Sequence, residues 1–255
     1  MKRVIAMGDL HCGSRVGLTP TLFECNDDSH FAEIRREVWR FYERLTVDLQ
    51  PVHCLIVNGD LIDGKGERSG GTELIEPDRI AQCDMAAHAI KQWNAEKIII
   101  TAGTPYHAGS SEDFEEIVAD RVVADEFGGH AWVDVDGVVF DVKHKVGGSV
   151  IPHGRATAVK REVLWNTIWS EDERQIRADI LLRSHVHYFE YSGNGKYLAM
   201  TLPALQGYGS KYGVRQCSGV VDIGLVEFNV EEDGTYSWRP HLLVGEFLKA
   251  QKITV

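Results

Sequence analysis

The short apolar run Val4-Ile5-Ala6-Met7 closes on Gly8-Asp9-Leu10-His11, which puts a carboxylate and an imidazole two residues apart at the lip of a strand. On extended or turning backbone, side chains at i and i+2 can point to one side, so Asp9 and His11 can share a cation. Alone the pair carries little weight, because either residue can equally be a turn former or a satisfied polar group. The same event then repeats down the chain. Cys54-Leu55-Ile56-Val57 closes on Asn58-Gly59-Asp60-Leu61-Ile62-Asp63, and Lys97 to Ala102 on Gly103-Thr104-Pro105-Tyr106-His107. Val138 to Val142 runs into Lys143-His144-Lys145, and Ile180-Leu181-Leu182 into Arg183-Ser184-His185-Val186-His187. Mixed Asp and His ligands suit Mn²⁺, Fe or Zn²⁺ better than an all-oxygen calcium site. Two such ions about 3.5–4 Å apart would clamp a phosphoryl group and activate a hydroxide for in-line attack, so these residue types point to phosphoester hydrolysis.

Residues so far apart in sequence meet only if the fold brings the ends of their strands to one edge. In the first half, apolar runs alternate with helical patterns, as in a parallel sheet built by crossovers, and ligands gather outside the carboxyl ends of such strands. Ser29 caps a predicted helix from about 31 to 49, and Pro77 opens one along Ile80, Cys83, Ala87 and Ile90. Ser110 or Ser111 caps a third, expected to run to about Phe127 and stop at Gly128-Gly129. The second half differs. Ala131 to Val135 and Val138 to Val142 read as a hairpin across Asp136-Gly137, helical sequence spans about 157–177, and mostly antiparallel strands follow, with a turn at Gly193-Asn194-Gly195. The chain reads as a single domain over 1–255, with a motif-bearing core at about 3–190 and antiparallel strands over 191–245.

The ordered set resembles the calcineurin-like metallophosphoesterase family, whose signature runs D-x-H, G-D-x-x-D/G, G-N-H-D/E, an isolated His and G-H-x-H. Gly8-Asp9-Leu10-His11, Gly59-Asp60-Leu61-Ile62-Asp63, His144 and Ser184-His185-Val186-His187 match in that order. The resemblance implies an α/β fold, a four-layer α/β/β/α sandwich of two mixed sheets flanked by helices, with two divalent metal ions. It implies that Asp9, His11 and His187 hold the first ion, that Asp60 bridges, and that His144 and His185 hold the second. Manganese is the first expectation, with Fe, Zn, Ni or Mg as alternatives. Two departures stand out. Thr104 occupies the place of the family's Asn ligand, and His107 follows it at a distance from which it can act as the general acid if the Pro105 turn folds it back. Ser184 replaces the usual Gly. The Thr104 loop and the segment Lys143 to Pro152 are similar to phosphoesterases encoded by phages and prophages.

The formal charge of −11 argues against a protein that grips nucleic acid through a broad basic face, yet leaves a phosphate substrate open. No apolar run is long enough to span a bilayer, so no membrane partner is expected. The start Met-Lys-Arg leads directly into a strand without a leader pattern, which makes the cytoplasm of the cell or of a phage host the expected location. Five cysteines without CxxC spacing read as reduced, mostly buried thiols. His153, Arg155, Tyr208 and Lys211 are candidates to meet substrate phosphates or a base, against the equal reading of solvated charges and loop side chains. The substrate stays open between a phosphodiester, as nucleic acid or nucleotide, and a phosphomonoester or phosphoprotein. A scaffold that binds metal and a protein partner without turnover is the reading from another class. The oligomeric state is not legible.

Overall fold

The computed structural model describes residues 1–25, 28–109, 113–149, 151–209, 221–245 and 254. In chain order the first half forms β1 (Lys2–Met7), α1 (His30–Asp48), β2 (Cys54–Asn58), α2 (Arg79–Lys91), β3 (Lys97–Thr101), α3 (Pro105–Ala108), α4 (Phe114–Val122) and β4 (Glu126–Gly128). The second half forms β5 (Ala131–Val135), β6 (Val138–Val142), α5 (Arg155–Glu171), β7 (Ile180–Arg183), β8 (Glu190–Asn194), β9 (Tyr197–Thr201), β10 (Gly224–Val230) and β11 (Tyr236–Leu242).

Two mixed sheets result, with strand orders β11-β10-β1-β2-β3-β4 and β5-β6-β7-β9-β8. In the first, β1 to β4 run parallel, and β10 returns antiparallel to cover the free edge of β1. In the second, β6, β7 and β9 are parallel, with β5 and β8 added antiparallel. Period-two burial sorts the side chains. Val4 and Ala6 face one way, into a core shared with Ile56, Phe140, Val142, Ile180, Leu182, Met200 and Phe228 between the sheets. Ile5 and Met7 face the other way, onto a second core roofed by Ile34, Val38 and Leu45 of α1, Cys83 and Ile90 of α2, and Val118 of α4. On the far face of the second sheet, Ala158 and Val159 of α5 are buried, Val159 packing with Leu181 and Ala199. The layers are therefore helix, sheet, sheet, helix, as the resemblance implied.

Local chemistry explains the boundaries. Ser29 accepts from Ala32 N to start α1, and Asp136 and Gly137, both at positive φ, close the β5–β6 hairpin. Four expectations need correction. The helix expected to reach Phe127 ends at Val122, because Val123 turns left-handed (φ 55°) and Glu126–Gly128 pair with β3 instead. Its cap is Asp113, which accepts from Glu115 N, whereas Ser110 and Ser111 lie outside the described residues. Ile80 is exposed and not part of the buried stripe of α2, and β8 runs on through Asn194, so that hairpin turns at Gly195 and Lys196. A strand of three residues carries no periodic signal, which is why β4 was invisible.

Phe140 and Phe228, both fully buried, meet edge to face between the sheets with ring centroids 5.2 Å apart. Phe140→Ala is expected to lower the unfolding free energy by about 3–5 kcal/mol in a urea titration, because the rigid sheets cannot close over the cavity.

Candidate metal centre

Every sequence-selected ligand candidate follows the carboxyl end of a parallel strand: Asp9 and His11 after β1, Asp60 after β2, Thr104 and His107 after β3, His144 after β6, His185 and His187 after β7. The strand ends of both sheets thus open into one place. The side chains there fall into three groups whose ligand atoms lie within 4.8 Å of one another: Asp9, His11 and His187; Asp60, His144 and His185; and His11, Asp60 and His107.

The backbone that presents them is unusual. Asp9, His11, Asp60, His185 and His187 all have φ between 46° and 75°, the left-handed region that costs a non-glycine residue about 1–3 kcal/mol. The surroundings hold that conformation. Asp9 N donates to Gly59 O, His11 N to Asp60 O, Cys12 N to Leu61 O, and Asp63 N back to Cys12 O, so the loops after β1 and β2 are laced together beyond the strands. Asp9 Oδ2 accepts from His185 N at 3.0 Å and ties the first sheet to the second. At Gly103 a Cβ would collide with Asp60 N and Oδ1, so only glycine lets the β3 loop approach this closely.

Hydrogen bonds fix which imidazole nitrogen faces inward. His144 Nδ1 donates to Asn58 O at 2.7 Å, which leaves Nε2 aimed at Asp60 Oδ2, 3.0 Å away. His11 Nδ1 meets Asp63 Oδ1 at 3.0 Å, and its Nε2 lies 3.2 Å from His187 Nε2. Two facing ring nitrogens and an adjacent carboxylate are the donor set of a cation site, with Asp63 and Asn58 orienting the rings from behind. The fit is supported by buried atoms that lack a hydrogen bond among the described residues. Asp9 Oδ1 is one, although it lies 3.3 Å from His187 Nε2, 3.8 Å from His11 Nε2 and 4.0 Å from His144 Nε2. His144 Nε2 is another. A buried carboxylate oxygen surrounded by imidazole nitrogens and bonded to none of them fits a divalent cation.

Electrostatics agree. Burial opposes charge on Asp9 and Asp60, yet the imidazoles of His187, His11 and His144 around Asp9, and of His144, His185 and His107 around Asp60, hold both carboxyls well below the usual range. Burial likewise opposes the imidazolium of His11 and His144, but Asp63, Asp9 and Asp60 around the first and Asp60 and Asp9 around the second raise each to about 10. The site opens on the side of His185 and His107, whose side chains keep 28% and 18% exposure.

Thr104 reaches Asp60: its N and Oγ1 both donate to Asp60 Oδ1, at 2.6 and 3.0 Å. Pro105 starts the single turn of α3 behind it and swings His107 back, where Nδ1 donates to Asp63 O at 2.9 Å and the ring stands edge-on to His11. Burial and the neighbouring His11 lower the His107 pKa below its ordinary 6.5, against the opposing pull of Asp60 and Asp63. Ser184 Oγ accepts from Asn58 Nδ2, and Asn58 Oδ1 accepts from Thr101 Oγ1, so the serine in place of the family's glycine joins the ends of β2, β3 and β7. Two supports were missed from sequence. The carboxylate of Glu115, fully buried on α4, accepts from Leu61 N and Gly103 N at 2.6 Å each and so fastens the loops after β2 and β3; burial and the nearby Asp60 push its pKa up to about 8. Gln82 of α2 pins both N and O of Gly64. The only signal for either was its place on a helix facing the sheet.

The substrate candidates are scattered. His153 is exposed on the turn before α5 and belongs to none of the three groups. Arg155 stacks on Tyr188, next to His187, with 4.6 Å from its guanidinium carbon to the ring centre. Tyr208 packs half-buried against the helix-side core, and Lys211 lies outside the described residues. The thiol of Cys12 is buried and its pKa pushed up, consistent with packing.

Neither a protein-family model nor a curated protein matches the sequence. Among solved structures, a single mutant of Vps29 of Entamoeba histolytica has a TM-score of 0.48 at 13% identity, over 95% of this chain and 99% of that one. An archaeal phosphodiesterase has a TM-score of 0.46 at 13% identity, over 94% and 99%. Vps29 of Chaetomium thermophilum has 0.46 at 12% identity, over 95% of each.

The sign of the pH dependence follows from the shifts. His11 and His144 bind protons more tightly folded than unfolded, so the stability they contribute is full below the unfolded value of 6.5 and declines as pH rises to about 10. A cation must displace those same protons, so its affinity rises with pH. In thermal melts the chelated protein is therefore expected to lose stability from about pH 6.5 upward, and added Mn²⁺ to raise the melting temperature by an increment that grows over the same range.

Proposed function

We propose that this chain, with the fold and the ordered motifs of the calcineurin-like metallophosphoesterases, is a metal-dependent phosphoesterase whose substrate is a phosphodiester of the nucleotide or nucleic-acid type. The observation that carries the reading is the adjacency of the Asp9–His11–His187 and Asp60–His144–His185 groups, with Asp9 Oδ1 buried between imidazole nitrogens of both. In this reading Asp9, His11 and His187 would hold one divalent ion, and Asp60, His144 and His185 a second. Manganese is the first choice from the mixed donor set. Bound there, the ions supply positive charge against the phosphoryl oxygens and lower the pKa of water.

The chain's own residues do the rest. Asp63 and Asn58 hold the rings of His11 and His144 so that their Nε2 lone pairs face the site. Thr104, through two bonds to Asp60 Oδ1, keeps that carboxylate in one orientation. His107 anchors Nδ1 on Asp63 O and its ring stands beside His11 and Asp60 with its side chain 18% exposed, so in the imidazolium form it can protonate a leaving alkoxide. A lowered pKa means that this acid form is lost as pH rises, beginning below 6.5.

With Mn²⁺, the purified protein is expected to hydrolyse bis-p-nitrophenyl phosphate and a dinucleotide, and the aryl monoester more slowly. Asp60→Asn should lower bound metal and activity together. His107→Asn should cut turnover of the dinucleotide by about 10²–10⁴ and flatten the decline of rate with pH, while the activated aryl diester loses little. The reading fails if neither ester is hydrolysed and Asp60→Asn leaves the metal content unchanged; preference for the monoester would overturn the substrate class alone.

A further inference from the structure

Helix α5 is built inside out. Its side chains towards the second sheet are small, with Ala158 and Val159 buried, while Leu164, Trp165 and Ile168 keep 59%, 47% and 39% of their surface exposed. Trp165 and Trp169 stack with ring centroids 5.7 Å apart, which extends the apolar surface along the helix. A solvated helix places its large apolar residues inward, so an outward aromatic and aliphatic ridge marks a surface that something covers.

The charges at the two ends of the ridge identify what covers it. Arg161 precedes the ridge and Asp172 follows it; both are exposed, and neither has an ion-pair partner among the described residues. At 100° per residue, Arg161, Trp165, Ile168 and Asp172 fall within about 60° of arc, on one line along the helix. Arg161 and Asp172 are also equally far from the point midway between Trp165 and Ile168. A surface that is basic at one end, acidic at the other and apolar between complements itself when rotated by a half-turn about its centre.

We propose that the partner is a second copy of this chain, docked through an antiparallel α5–α5 pair. Trp165 of each copy packs on Ile168 of the other, and Arg161 of each faces Asp172 of the other at both ends. A lipid surface does not suit this face, because Glu171, Asp172 and Glu173 would meet anionic headgroups. The α5 ridge lies on the outer face of the second sheet, away from the shared core, so the pairing leaves the strand-end groups of each copy in place.

Sedimentation equilibrium of the full chain tests this. The wild type is expected at twice the 28.5 kDa of one chain, and Trp165→Glu at 28.5 kDa with unchanged far-UV circular dichroism. Arg161→Asp and Asp172→Arg should each weaken the dimer by roughly tenfold, and the two together should restore it, since the swapped charges again face each other. A wild type that stays at one chain's mass up to about 100 μM overturns the proposal, as does a dimer that survives Trp165→Glu. Failure of the charge swap to recover affinity overturns the antiparallel register and the proposal with it.

Discussion

The lacing of two loops beyond the ends of their strands is the constraint on which the rest of this structure depends. Without the bonds that run from Asp9 N to Gly59 O and from His11 N to Asp60 O, residues 9, 11 and 60 would relax out of the left-handed region, and their side chains would swing away from one another. The sheets supply the rigidity, but the lacing decides direction. Glu115 extends the same device to the β3 loop, by accepting from backbone N–H groups on both sides. A carboxyl group used as a backbone clip is itself desolvated and lies near Asp60, which is why its pKa is pushed up to about 8.

The division of labour between the sheets follows from this. The first sheet contributes the carboxylates Asp9 and Asp60, and the second contributes His144, His185 and His187. Carboxylate oxygens and imidazole rings thus approach across the seam between layers, and the seam is closed below them by the apolar core around Ile56, Phe140 and Phe228. Apolar packing brings the sheets together without direction; the bonds from His185 N to Asp9 Oδ2, from His144 Nδ1 to Asn58 O and from Asn58 Nδ2 to Ser184 Oγ add directional contacts at the rim.

How much of this was legible in the sequence depended on the length scale of each feature. Runs such as Cys54–Val57 announced buried parallel strands, and the residues that closed them were the ones that converge. His144 could be preferred to His153 because it ends a strand directly. The two-sheet arrangement came from motif order rather than from periodicity. What could not be read was set by contacts across the fold. β4 is too short to show a pattern, and α4 stops where Val123 turns left-handed, a choice that a β-branched side chain does not advertise. Glu115 looked like one of many helical carboxylates; only its burial against two backbone N–H groups sets it apart. Thr104 stood at a ligand's position in the pattern; that its N and Oγ1 both donate to Asp60 Oδ1 is a contact that composition cannot express.

The return of β10 to the edge of β1 has a consequence for how the molecule comes into being. β1 is made before both of its neighbours, and the second of them, β10, spans Gly224–Val230. During synthesis the central strand of the first sheet therefore waits with one row of peptide groups open while more than two hundred residues emerge. That open edge can pair with whatever strand is nearest, including a neighbouring nascent chain, so the interval before β10 arrives is when this protein is most exposed to misassembly.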